Sequence, residues 1–109
     1  MEARVLDELL AEQSATGRPY LEFLRSGSMS IGLYVLDAGA TDGQSPHGED
    51  ELYVVLAGRS RFTAGDEVRD VAPGDTIYVA AGVPHRFHDI TERLTLIVVF
   101  APPEHSRAV

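Results

Sequence analysis

Hydrophobic positions follow two different periods along this chain. Near the N-terminus, Val5, Leu6, Leu9 and Leu10 recur at helical spacing, with charged residues on the other side. Gly17 and Pro19 then interrupt the pattern. A short helix over roughly Glu2 to Ser14 is predicted, packed on the outside of the main fold. Its polar side carries mostly acids, which disfavours a membrane-surface role.

From Tyr20 onward the period shortens to that of strands. Runs rich in Val, Ile, Leu, Tyr and Phe occupy Tyr20–Arg25, Met29–Leu36, Leu52–Leu56, Arg59–Thr63, Val68–Val71, Thr76–Ala80, His85–Asp89 and Leu94–Phe100. Ala64-Gly65-Asp66-Glu67, Pro73-Gly74-Asp75 and Ala81-Gly82-Val83-Pro84 supply turns between them. Eight short strands punctuated in this way predict an all-β sandwich or jelly-roll barrel with the short helix outside. The chain then divides into a helix at 1–18, a β-barrel at 19–101 and a tail at 102–109. Pro102-Pro103 ends the last strand, and the tail beyond is expected to be loose. Leu52–Leu56 and Leu94–Phe100 are apolar on both faces. One face would line the barrel. The other needs cover from the helix or from a second subunit, which predicts a homodimer.

A length of 109 residues fits one domain, and 44% apolar content is enough for one core. Cysteine is absent, which excludes disulfides and thiolate metal sites. His, Asp, Glu and amide groups remain as metal ligands. Nine basic residues against 17 acidic ones give a net charge of −8. Such a surface repels phosphate backbones and anionic lipids, so neither nucleic acid nor a membrane is an expected partner. The start Met1-Glu2-Ala3-Arg4 lacks the basic and apolar regions of a secretory signal. The longest strongly apolar run, Leu96 to Ala101, is too short to span a bilayer. A cytoplasmic location is expected.

Two segments carry candidate chemistry. In Ser45-Pro46-His47-Gly48-Glu49-Asp50-Glu51, a turn separates His47 from Glu51, which opens an apolar strand. Far along the chain, His85 follows Gly82-Val83-Pro84. Strand alternation places Tyr53 on the face of Glu51, and Phe87 and Asp89 on the face of His85. Two histidines and a carboxylate on barrel strands suit one divalent transition metal, whether Fe, Mn, Ni, Cu or Zn. Three protein ligands leave positions open for water, oxygen or substrate. Spacing alone does not separate this reading from two hydrogen-bonded histidines and a surface glutamate.

Over roughly Ile31 to Phe100 the sequence resembles the cupin family. Gly39, His47, Glu51 and Gly58 follow the first cupin motif, with six residues between Glu51 and Gly58. Gly74, Gly82 and His85 follow the second. Both motifs occur in order, with the short connection Arg59 to Pro73. The resemblance implies a cupin barrel whose metal is held by His47, Glu51 and His85. The sequence departs from the pattern at Ser45, where the family has the first histidine of its pair. Ala80 replaces a proline, Asp89 replaces an asparagine, and Gly39 lies two residues further from the histidine position than expected. A hydroxyl is a poor ligand, so Gln44 becomes a candidate for the vacant position, through its amide oxygen. Alternation points Gln44 away from the pocket, but a bulge would turn it inward.

The resemblance implies a metal-dependent, dioxygenase-like enzyme acting on a small organic molecule, with Glu51 as the catalytic carboxylate. A non-catalytic barrel that holds a small ligand is the alternative, motivated by Ser45. An isomerase or epimerase with His47 or Glu51 as general base is a third. Tyr53 and Phe87 are expected to wall the pocket or to serve as core. His88 is expected on the outer strand face, His105 in solvent, and Asp42 in a turn before Gly43.

Overall fold

A computed structural model of the chain describes residues 1–43 and 46–106. Helix α1 (Leu6–Thr16) precedes β1 (Tyr20–Arg25), β2 (Ser30–Leu36), β3 (Asp50–Ala64), β4 (Glu67–Val71), β5 (Thr76–Val79) and β6 (His85–Ala101). The helix runs from Leu6 to Thr16, against the expected Glu2 to Ser14, and buries Leu9 and Gln13. Val5 caps its start without a side-chain hydrogen bond. Every strand pairing is antiparallel, in the order β1-β2-β6-β3-β4 with β5 also on β3.

The eight runs seen in the sequence form six strands. Leu52–Leu56 and Arg59–Thr63 are two parts of β3, and His85–Asp89 and Leu94–Phe100 are two parts of β6. The junctions are bends rather than breaks. The β3–β6 register shifts repeatedly between Val55 and Arg61. At the bend, Gly58 has a φ of 97°, and a Cβ there would run into the Arg93 carbonyl. Only glycine meets both demands, and such bulges let paired strands curl together. The curl closes the inner face on a core that includes Tyr53, Phe62, Phe87, Leu96 and Phe100.

The outer face is covered in part. Leu33 and Val35 of β2 pack with Leu9 of α1 in a second cluster. Further along, Ile31, Val99, Leu52 and Tyr78 are successive cross-strand neighbours on β2, β6, β3 and β5. Tyr78 at the end of this row is 62% exposed. No described helix is long and apolar enough to cross a membrane.

The start of the tail is not loose. Pro103 is buried, and three hydrogen bonds fix the main chain after it. Glu104 N–H donates to Ser30 Oγ at 2.9 Å, Arg25 Nη2 donates to the Glu104 carbonyl at 2.9 Å, and His105 N–H donates to Glu49 Oε1 at 3.0 Å. Ser30 and Glu49 are themselves buried, so the segment lies as a strap across one end of the barrel.

Candidate functional site

The two motif segments are fastened to each other before any ligand is considered. Gly82 N–H donates to the His47 carbonyl at 2.7 Å, and Ala81 N–H donates to Asp50 Oδ1 at 2.9 Å. These bonds hold the start of β3 beside the start of β6. Glu51 and His85 both point inward from those starts and are buried.

His85 Nε2 lies 2.8 Å from Glu51 Oε1. Among the described residues no well-aligned donor meets either carboxylate oxygen of Glu51, and the His85 imidazole is its close polar neighbour. The same Nε2 is 3.1 Å from the Tyr53 hydroxyl. His85 Nδ1 is 2.8 Å from the Val83 carbonyl, to which it donates its proton. Burial by itself would lower the His85 pKa. The adjacent Glu51 carboxylate and the Val83 carbonyl outweigh it and hold the pKa above the ordinary histidine value.

A cavity of about 340 Å³ opens beside this pair. Tyr20, Tyr34, Leu36, Val98 and Phe100 form its apolar wall, and His47, Glu51 and Glu104 bring polar groups to it. The Tyr20 ring meets Tyr34 edge-on at 5.9 Å and fills space that only Gly32 leaves open, since a Cβ at Gly32 would collide with it. The buried Tyr20 hydroxyl has no hydrogen-bond partner among the described residues. Desolvation, reinforced by nearby carboxylates, raises its pKa.

The structure distributes the expected metal set over two places. Glu51 and His85 are in direct contact in the interior. His47 is half-buried, with its ring 6.3 Å from that of His85 and 6.1 Å from that of His105. Among the described residues, the group whose ligand atoms already lie within 4.8 Å of one another is His47, Glu104 and His105. Burial raises the Glu104 pKa, and the His105 and His47 rings oppose that rise. Gln44 and Ser45 lie outside the described residues.

Several other expectations meet specific outcomes. Tyr53 and Phe87 face inward, as alternation requires, but they are core and not pocket wall. Their rings meet edge-on at 4.9 Å, and Phe62 joins Phe87 at 4.5 Å in the same core cluster. His88 lies on the other strand face, with Nε2 2.7 Å from Thr63 Oγ1 and Nδ1 2.8 Å from Asp89 Oδ2. The His105 side chain is exposed as expected, although its main chain is fixed. Asp42 is no surface turn residue. It is buried, accepting from the Tyr34 hydroxyl at 2.7 Å and from Phe87 N–H at 2.9 Å. Tyr20, Tyr34 and Glu104 were not singled out by the sequence reading, and their distance along the chain from both motifs explains why. The one available signal was the shared parity of Tyr34 and Leu36 on β2.

Comparison with known proteins agrees with this geometry. Residues 32–100 match the Cupin domain family. An uncharacterized protein of Streptomyces coelicolor is 55% identical over 104 residues, covering 95% of this chain and 99% of that one. A solved structure from Thermus thermophilus is similar with a TM-score of 0.72 and 28% identity, covering 94% of this chain and 99% of that chain. A DMSP lyase from Ruegeria pomeroyi shares the fold with a TM-score of 0.68 and 21% identity, covering 81% of this chain and 49% of that chain. The family match spans the curled strands and both fastened motif segments, and so this chain belongs to the cupin family.

Proposed function

We propose that the protein is a metal-dependent, dioxygenase-like oxidoreductase acting on a small organic molecule, with one divalent transition metal held by His47, Glu51 and His85. Glu51 is the observation that supports this most. Its carboxylate is buried without an aligned donor on either oxygen, beside an imidazole whose other nitrogen is already engaged. A buried carboxylate of this kind is costly unless a cation meets it. Fixing Nδ1 on a backbone carbonyl turns Nε2 inward as the nitrogen a metal would take in exchange for its contacts to Glu51 and Tyr53, the arrangement common to metal-bound histidines. Two imidazoles and one carboxylate suit Fe(II), Mn, Ni, Cu or Zn, and Gln44 is the proposed fourth ligand.

Bound there, the metal would supply Lewis-acid or redox chemistry to a molecule in the cavity. The chain's own residues would do the rest. Tyr20, Tyr34 and Phe100 exclude water and accept an apolar body. The Tyr20 hydroxyl donates to an oxygen of that body. Glu51 accepts a proton at either carboxylate oxygen. The reading includes a cytoplasmic location, no nucleic-acid or membrane partner, and a second copy of the chain as partner.

A non-catalytic ligand-binding barrel is the second reading, favoured by the position of His47 away from the Glu51–His85 contact. The two are separated by loading Fe(II) anaerobically, adding diketones, phenolics and thiol acids, and following oxygen uptake. Turnover that falls by about 100-fold or more in Glu51→Gln and His85→Ala supports the enzyme. Ligand binding without turnover, unchanged after metal removal, replaces it with the binding protein.

A further inference from the structure

The strap places two ligand-type side chains, outside both motifs, at the mouth of the cavity. Glu104 and His105 follow the buried Pro103, and their main chain is fixed by Ser30, Arg25 and Glu49. His105 is held at a φ of 64°, a left-handed conformation uncommon outside glycine. The backbone of this residue is thus held by the buried acid Glu49, which keeps its Cα beside the cavity mouth. The His105 side chain is 77% exposed, whereas Glu104 is 17% exposed and borders the cavity with His47. His105 Nε2 lies 3.6 Å from Glu104 Oε2, and the ligand atoms of all three residues fall within 4.8 Å of one another.

We propose that Glu104 and His105 of the strap, together with His47, hold a divalent transition metal at the mouth of the barrel. Two imidazoles and one carboxylate are the protein ligands of many three-ligand zinc sites, which keep a further position open. Here one side of the site meets solvent, where an ion enters, and the other meets the cavity. The ion ties the strap to the barrel over the cavity entrance. Neither Glu51 nor His85 belongs to this group, and His47 is its one member shared with the inner set.

Zinc titration of the full chain by calorimetry against a competing chelator tests the assignment. The variants are Glu104→Gln/His105→Ala and Glu51→Gln/His85→Ala, with the fold of each checked by circular dichroism. The strap variant is expected to lose tenfold or more in zinc affinity, or a whole equivalent of zinc. His105→Ala alone makes the same test at an exposed side chain. In the unaltered chain, zinc should shift the imidazole nitrogen resonances of His105 and His47 and leave those of His88 in place. Zinc binding in the strap variants equal to that of the unaltered chain, or an unmoved His105 imidazole, would overturn the proposal. Loss confined to Glu51→Gln/His85→Ala removes the strap site and keeps the inner one. Loss confined to the strap variants does the reverse. Loss in both sets places the strap ligands on the same ion as Glu51 and His85, and so overturns a separate site at the mouth.

Discussion

Single residues decide where this barrel bends. Gly58 is at once in a left-handed conformation and against the Arg93 carbonyl, a backbone atom that cannot move aside. Gly58→Ala is therefore expected to lower stability by about 3 kcal/mol, read as an earlier urea midpoint. Gly27→Ala, with open space around its Cβ, should stay within about 0.5 kcal/mol of the parent. Equal midpoints for the two variants would refute this account of the bend. The motif glycine was legible in the sequence through its motif spacing from Glu51, although the Arg93 carbonyl that demands a bare Cα lies far along the chain. Asp42 was not legible. Its partners Tyr34 and Phe87 lie 8 and 45 residues away, and a loop aspartate before glycine reads as a turn from local chemistry alone.

At the scale of elements, the helix and the strands respond to different information. Four apolar positions, Val5 at the cap and Leu6, Leu9 and Leu10 within α1, predicted the helix, and Leu9 is the one that becomes fully buried, against Leu33 and Val35. Leu9→Ala should cost about 2 to 3 kcal/mol and loosen the helix from the sheet, seen in the melting temperature. The N-terminus of α1 has no side-chain cap, and Val5 there is 57% exposed. Val5→Ser should stabilise the chain by about 0.5 to 1 kcal/mol, and a lower melting temperature would contradict the capping argument. Strand positions were readable from apolar runs, but their fusion into β3 and β6 was not. Pairing across a bulge depends on a partner strand that local sequence does not contain.

For the whole molecule, the incomplete cover of the outer face is the main consequence of the fold. Helix α1 shields Leu33 and Val35, while the row Ile31, Val99, Leu52 and Tyr78 has no helix over it among the contacts that define the second cluster. We propose this row as the contact between two copies of the chain, the twofold dimer being the commonest closed assembly. Light scattering at micromolar concentration should give the dimer mass, and Tyr78→Glu should shift the chain toward the monomer without unfolding it. A monomer mass for the unaltered chain would rule this contact out.

What the sequence determined by itself was the class of fold, its turns, and the choice of Glu51, His47 and His85 as candidate ligand residues. The fold class and the turns rest on short-range rules of period, alternation and turn residues, and the three candidate ligands rest on the resemblance of the two motifs to the cupin family. The tertiary structure decided the rest. It brought Glu51 and His85 into contact from positions 34 residues apart, by pairing Glu51 of β3 with Val79 of β5 and fastening Gly82 to His47. It made Tyr53 and Phe87 core instead of pocket wall, because Phe62 closes the barrel beneath them. It also turned a tail that reads as loose into a strap beside His47, held by Ser30 and Glu49, which sit far away in the chain. Anchors so distant leave no trace in the local pattern of the tail, and only the folded chain brings them to it.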